Sequence, residues 1–244
     1  MKKIDMARVR AVARKESRDF RRNRFVVVTM ALSPLIFVSW ALISILLMPG
    51  TDQPTAALNS QVGMSVLFML LVPAVVPAVV SAYSVVGERE QGTLEPILTT
   101  PVSNEELLLG KALATLVPTL VISYAIFGVV LGCVALFAHP GVPSAVFRAP
   151  LMFALAFFTP LIAGWSVWVG IAVSARSRDV RVAQQLATFA SLPPVAVAAL
   201  MAFGVLPQDL FVALGVAAVL LVADTRGWRA VSAMFDRERL VTRS

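Results

Sequence analysis

The sequence predicts an all-α integral membrane protein: six transmembrane helices, an amphipathic elbow helix before the first, and a short helix in the loop between the second and third. Three observations predict it. Apolar residues make up 58% of the 244-residue chain and charged ones only 14%, far fewer charges than a soluble domain of this length carries. The apolar residues come in runs long enough to cross a bilayer. The charges collect between those runs, with a sign bias that fixes an orientation.

The chain opens on a basic segment, Met1–Arg24, holding ten Lys and Arg. Met6, Val9, Ala13, Ser17 and Phe20 fall at helical spacing on one face, with Arg8, Arg10, Arg14, Lys15, Arg18, Arg21 and Arg22 around the rest. A basic amphipathic helix of this kind lies in the interface, its cations near anionic headgroups.

Six apolar spans follow: 25–48, 62–86, 112–138, 150–173, 186–206 and 210–223. The first, 24 residues, reaches roughly 36 Å as a helix, enough to cross with some tilt. Its run is too long for a cleaved leader, and Leu47-Met48-Pro49-Gly50 is not a small-x-small cleavage site. The last span is the shortest. Its 14 residues give roughly 21 Å, so it must extend into its flanks or thin the bilayer. Twenty Lys and Arg lie in Met1–Arg24, 87–111, 174–185 and 224–244, against Arg148 alone in the segments 49–61, 139–149 and 207–209. The expectation is a multi-pass protein of the cell membrane with both termini and the loop 87–111 cytoplasmic.

That loop, GEREQGTLEPILTTPVSNEELLLGK, carries five of the fourteen carboxylates: Glu88, Glu90, Glu95, Glu105 and Glu106. Gly92 can supply a sharp turn. Thr93 can cap a helix starting at Leu94, Glu95 suits the positive end of its dipole, and Pro96 is tolerated in the first turn. Leu94, Ile97 and Leu98 share one face, and Pro101 stops the element at Thr100. Ser103 followed by Glu106 is a capping box that starts the next helix. A two-turn helix showing three apolar side chains to water needs a partner to bury them, each worth about 1.5–3 kcal/mol when fully buried.

These residues resemble the cytoplasmic loop of type-2 ABC transporter permeases, the membrane subunits of ABC exporters. That family carries a G-E-[RK]-E-x-G-T-[LM]-E-x-L-[LM]-x-[ST]-P-[VI]-[ST] run after its second span. The basic elbow, the six spans and the closing FDRERL at 235–240 agree with it. The resemblance implies that the helix near Thr93–Thr99 is a coupling helix docking on a separate ATPase, with Glu88, Arg89, Glu90, Gly92, Thr93, Leu94, Glu95, Ile97, Leu98 and Pro101 as the coupling residues. It implies two cytoplasmic ABC ATPase subunits per complex, binding ATP and magnesium, and a second copy of the chain or a paralogue beside it. Members often place short re-entrant helices between the fifth and sixth spans; here Pro207-Gln208-Asp209 leaves no room for them.

Other classes find less support. Gly110-Lys111 continues into Ala112 and lacks the upstream glycine of a phosphate-binding loop, so no cofactor and no catalytic residue is expected in this chain. One histidine, His139, and one cysteine, Cys133, do not make a metal site or an intrachain disulfide. The net charge of +7 is spent on topology, so no nucleic-acid partner is expected. The spans show no paired groups for an intramembrane hydrolase; a structural or assembly protein is the other alternative. No ionisable residue falls inside the predicted spans, which suits a hydrophobic or amphipathic cargo such as a drug, lipid-linked molecule or peptide, while related permeases that export ions keep an ion open. Instead the spans carry Pro34, Pro73, Pro77, Pro118, Pro160, Pro193 and Pro194.

The charge bias predicts that cysteine introduced at Thr51 or Gln208 reacts with an impermeant maleimide from outside intact cells, and that cysteine at Ser103 does not. Labelling at Ser103 would invert the orientation.

Overall fold

A computed structural model describes residues 4–50, 56–92, 102–207 and 209–234. Among these are nine α-helices and one π-helical turn, with no strand. In chain order the helices are α1 (Met6–Arg22), α2 (Arg24–Leu46), α3 (Ala56–Glu90), α4 (Asn104–Phe137), α5 (Val142–Val146), α6 (Ala149–Phe153), α7 (Thr159–Arg176), α8 (Val180–Ala202) and α9 (Leu210–Met234). The π turn Ala154–Phe158 joins α6 to α7, making one 28-residue span. With α2, α3, α4, α8 and α9 this gives six helices long and apolar enough to cross a membrane.

α3 is the axis of the bundle. It packs on α2, α7 and α8, and its apolar stretch is buried over most of its length, whereas α2, α4 and α9 leave most of theirs exposed. The exposed side chains of those helices are large and apolar, such as Leu35, Val121 and Phe211, as lipid-facing surface requires. α3 and α7 approach closely at Gly170, where an added Cβ would overlap the Ser81 hydroxyl and lie 3.0 Å from the Ala78 carbonyl. One turn further on, the Val85 and Val86 N–H groups both donate to Ser174 Oγ at 3.0 Å.

The prolines do not interrupt their helices. Each removes the N–H that would reach the carbonyl four residues back, and at two of them a neighbouring helix replaces the donor. Pro160 leaves the Ala156 carbonyl free, and the Tyr124 hydroxyl of α4 donates to it at 2.6 Å. Pro194 leaves the Ala190 carbonyl free, and the Trp165 indole of α7 donates to it at 2.9 Å. In hydrocarbon no water can do this, so these prolines specify which side chain must face them.

Two readings of the sequence gain detail from the structure. The basic helix turns its expected face inward at Val9 and Phe20, which are buried with Glu16 beside them, while Met6 in its first turn is 58% exposed. Glu16 lies inside because the Lys111 ammonium of α4 receives it, as described below. The last span extends into its C-terminal flank, one of the two outcomes its short apolar run required: α9 continues to Met234, which places Asp224 inside the helix. A carboxylate ends an apolar run without ending a helix, and Asp224 keeps a partner, the Trp168 indole, at 3.1 Å.

Gly170→Val should destabilise the helix pair by about 1–3 kcal/mol through overpacking, seen as a lower melting temperature in detergent. Gly128→Val should have little effect, because nothing lies within 4 Å of a Cβ there.

Candidate functional site: a buried charge latch under the acidic loop

α3 ends and α4 begins on the same side of the bundle; α1 packs along α4 and reaches the end of α3 through an ion pair. The end of α3 is made by Gly92, which adopts φ +67° and donates its N–H to the Arg89 carbonyl at 3.1 Å. That left-handed conformation is strained for any residue with a Cβ. The start of α4 is made by the expected capping box: Ser103 Oγ accepts the Glu106 N–H, and the Glu106 carboxylate accepts the Ser103 N–H at 2.8 Å.

Lys111, one of the most deeply buried residues at 1% exposure, sits two turns into α4. Its ammonium contacts Glu88 Oε2 of α3 at 2.8 Å and Glu16 Oε1 of α1 at 3.1 Å, and donates to the Ser84 carbonyl at 2.9 Å. The ammonium hydrogen-bonds Glu16 and the Ser84 carbonyl and stands in ion-pair contact with Glu88. Lys15 closes the network from outside, reaching Glu88 Oε1 at 2.8 Å, and Glu16 and Asp19 at 3.1 Å. Burial alone would lower the Lys15 pKa, but the Glu16 charge and the bonds to Glu88 and Asp19 outweigh it and raise the value. Lys15 therefore stays charged throughout the physiological range. Small residues make room for the contact: at Gly110 an added Cβ would run into Val12 of α1 and lie 3.1 Å from the Val9 carbonyl.

A second tie holds the other end of α1. The Asp5 N–H donates to Glu106 Oε1 at 2.8 Å, and Arg8 lies 3.9 Å from Glu106 Oε2. The last turn of α3 is also joined to the α7–α8 turn. Arg89 Nη1 donates to the Ser177 carbonyl at 2.9 Å, and the Val180 N–H donates to Glu90 Oε1 at 3.3 Å. Of the residues singled out from the sequence, Glu88 is thus buried against α1 and α4, Arg89 is half-buried against Ser177, and Glu90 and Gly92 are exposed at the end of α3. Thr93, Leu94, Glu95, Ile97, Leu98 and Pro101 lie outside the described residues, as does 235–240.

Sequence reasoning missed Glu16, Lys15 and Lys111. The available signal was a lone lysine at the polar edge of an apolar run, with two acids, Glu16 and Asp19, in a mainly basic helix. Among the described residues no group of three or more His, Cys, Asp or Glu could hold a metal ion.

The arrangement is a frame: six membrane-crossing helices, with the two edges of an acidic loop clamped by ion pairs to one amphipathic helix. It defines a multi-pass membrane protein whose polar machinery lies at one membrane face. A family model described as ABC-2 family transporter protein matches residues 10–206, so the chain belongs to the ABC-2 transporter family and is an ABC transporter permease, a membrane component that works with ABC ATPase subunits. No curated protein matches the chain.

Removing one partner of a buried ion network leaves the others uncompensated. Lys111→Met should destabilise the protein by about 3–5 kcal/mol. Combining it with Glu16→Gln and Glu88→Gln should recover most of that loss, because no buried charge is then left unpaired. Thermal unfolding of the detergent-solubilised variants measures both.

Proposed function

We propose that the chain is the permease subunit of an ABC exporter, carrying a hydrophobic or amphipathic molecule, or an ion, out of the cytoplasm. Two copies, or one copy and a paralogue, form the pathway at their shared interface in the cell membrane. The termini and the acidic loop face the cytoplasm. Two separate ATPase subunits bind ATP and magnesium and dock on the loops through the helix near Thr93–Thr99. The chain supplies no catalytic group to that hydrolysis.

The observation that carries this reading, beside the family match, is how the acidic loop is held. Residues 93–101 are bounded on one side by Glu88 and on the other by Glu106 and Lys111, and all three are tied to α1. Arg89 and Glu90 extend the ties to the α7–α8 turn. A displacement applied to the loop therefore reaches the ends of α1, α3, α4, α7 and α8 together. ATP-driven closure of the ATPases would move that unit as a body and switch the pathway between two states. On this reading Glu88 and Arg89 transmit the displacement, while Leu94, Ile97 and Leu98 make the contact.

Leu98→Asp places an unpaired charge in the docking cleft, which is costly. The variant should insert normally, because the change lies outside every span, and should lose ATPase co-purification and transport together. Glu95→Gln should be milder, weakening the short helix by about 0.3–1 kcal/mol through its dipole. Retention of ATPase and transport at the unsubstituted level by Leu98→Asp would remove the coupling assignment. Failure of the unsubstituted chain to co-purify any P-loop ATPase would favour a structural or assembly role instead.

A further inference from the structure

The latch has an open side. A cavity of about 550 Å³ lies between the last two turns of α1, the α1–α2 junction at Asn23 and the end of α3. Its wall on α3 runs from Tyr83 to Gln91, roughly 12 Å of helix. The first apolar span begins at Phe25 and the second ends at Val86. The cavity therefore straddles the edge of the hydrocarbon and the headgroup layer beside it, roughly 5–8 Å deep. Phe20 lines its inner end and packs with Val26, Val80, Met30 and Tyr83. Polar walls thus pass into apolar ones toward the middle of the bilayer.

The α3 wall is held by its own side chains. The Tyr83 ring lies against Gly87, where any Cβ would overlap it, and the Gln91 amide donates to the Tyr83 hydroxyl. On α1, Lys15, Asp19 and Arg22 share one face at helical spacing and line the cavity together. The Lys15 charge is divided among Glu16, Asp19 and Glu88. Glu16 and Glu88 have Lys111 as well. Asp19 has only its share of Lys15 through Oδ2, and its Oδ1 accepts no hydrogen bond among the described residues. Arg22 makes no ion pair among the described residues. Asn23 caps α2 with its side-chain oxygen, and its amide N–H groups meet no acceptor among the described residues. Asp19 and Arg22 are exposed, while Glu16, Phe20, Ser84 and Glu88 are buried, so the groups left without partners stand at the mouth.

The mouth therefore offers a guanidinium and an amide to an anion, and a carboxylate oxygen to a cation. A single inorganic ion answers one of these and is repelled by the other. A phosphate joined to an ammonium answers both, and a planar guanidinium suits phosphate oxygens. The carboxylate oxygen calls for an N–H donor. A primary ammonium supplies three, whereas a quaternary ammonium supplies none and is held by aromatic faces instead. Beyond the cavity α2 is exposed at Val27 and Val28, apolar surface for acyl chains. We propose that this cavity seats the headgroup of a phospholipid bearing a primary amine, its phosphate on Arg22 and Asn23 and its ammonium on Asp19. Such a lipid is resident rather than transported, and neither its site nor its test involves the ATPase or the cargo.

The full chain in detergent is titrated with dioleoylphosphatidylethanolamine or dioleoylphosphatidylcholine, and native mass spectrometry reads the first bound lipid. The ethanolamine lipid should bind about tenfold tighter, the worth of one charge-assisted hydrogen bond. General attraction of a basic helix to a membrane would not separate these two lipids, since both are zwitterions. Asp19→Asn should erase the preference and leave the choline lipid unaffected. Arg22→Gln should weaken both lipids about tenfold and keep the preference. Equal affinities in the unsubstituted chain would overturn the proposal, as would a preference that survives Asp19→Asn. Both changes fall on exposed side chains outside the Lys111 contacts. If Asp19→Asn nevertheless does not fold, unchanged affinities in Arg22→Gln would overturn the proposal equally. Glycerophosphoethanolamine, the same headgroup without chains, separates the two sources of this chemistry. Failure to displace the lipid at equal concentration is expected; displacement would make a soluble ester the ligand and overturn the lipid assignment.

Discussion

The structure depends on one buried ammonium. Lys111 is inserted where three helices meet, and its charge is tolerable only because Glu88, Glu16 and the Ser84 carbonyl surround it. A lone cation there would be expelled or neutralised, so α1 cannot leave the bundle without exposing an unbalanced pair. Against hydrophobic groups of the same shape such a network adds little stability. What it adds is register: a Lys–Glu contact has one good geometry, whereas apolar surfaces can slide.

The same constraint explains how a peripheral helix is held so firmly. α1 offers few apolar side chains to the bundle, chiefly Val9 and Phe20. Its attachment rests on polar contacts at both ends, Asp5 and Arg8 with Glu106, and Lys15 and Glu16 with Glu88 and Lys111. Between them Gly110 lets the α1 backbone approach α4. The acidic loop, framed by the same residues, is positioned by α1 as much as by its own helices.

How much of this was legible follows from range. The six spans, the amphipathic helix and the Ser103–Glu106 capping box are written in periodicity and neighbours a few residues apart, and they read correctly. The latch joins residues 95 positions apart, and nothing local marks Glu16 as buried among arginines. The short last apolar run signalled that its helix must reach into a flank or thin the bilayer, but not that an indole on α7 would meet Asp224 within the helix. The prolines could be seen, but not that Tyr124 and Trp165 fill the positions opposite Pro160 and Pro194. Of the candidate loop, the motif residues that tie helices together are placed by the structure, while the apolar knob at Leu94, Ile97 and Leu98 rests on the sequence.

The separation of the latch residues also orders events in time. When α1 and α2 emerge during synthesis, Glu16 has neither Lys111 nor Glu88 to meet; Glu88 arrives with the end of α3 and Lys111 only with α4. Until then the charged partner beside Glu16 is its neighbour Lys15. The junction closes once the third span is in the bilayer with its N-terminal end at the right depth, since a lysine set one turn too high or too low would miss both acids. A sealed latch is therefore a physical record that the first half of the protein has been inserted in the correct register.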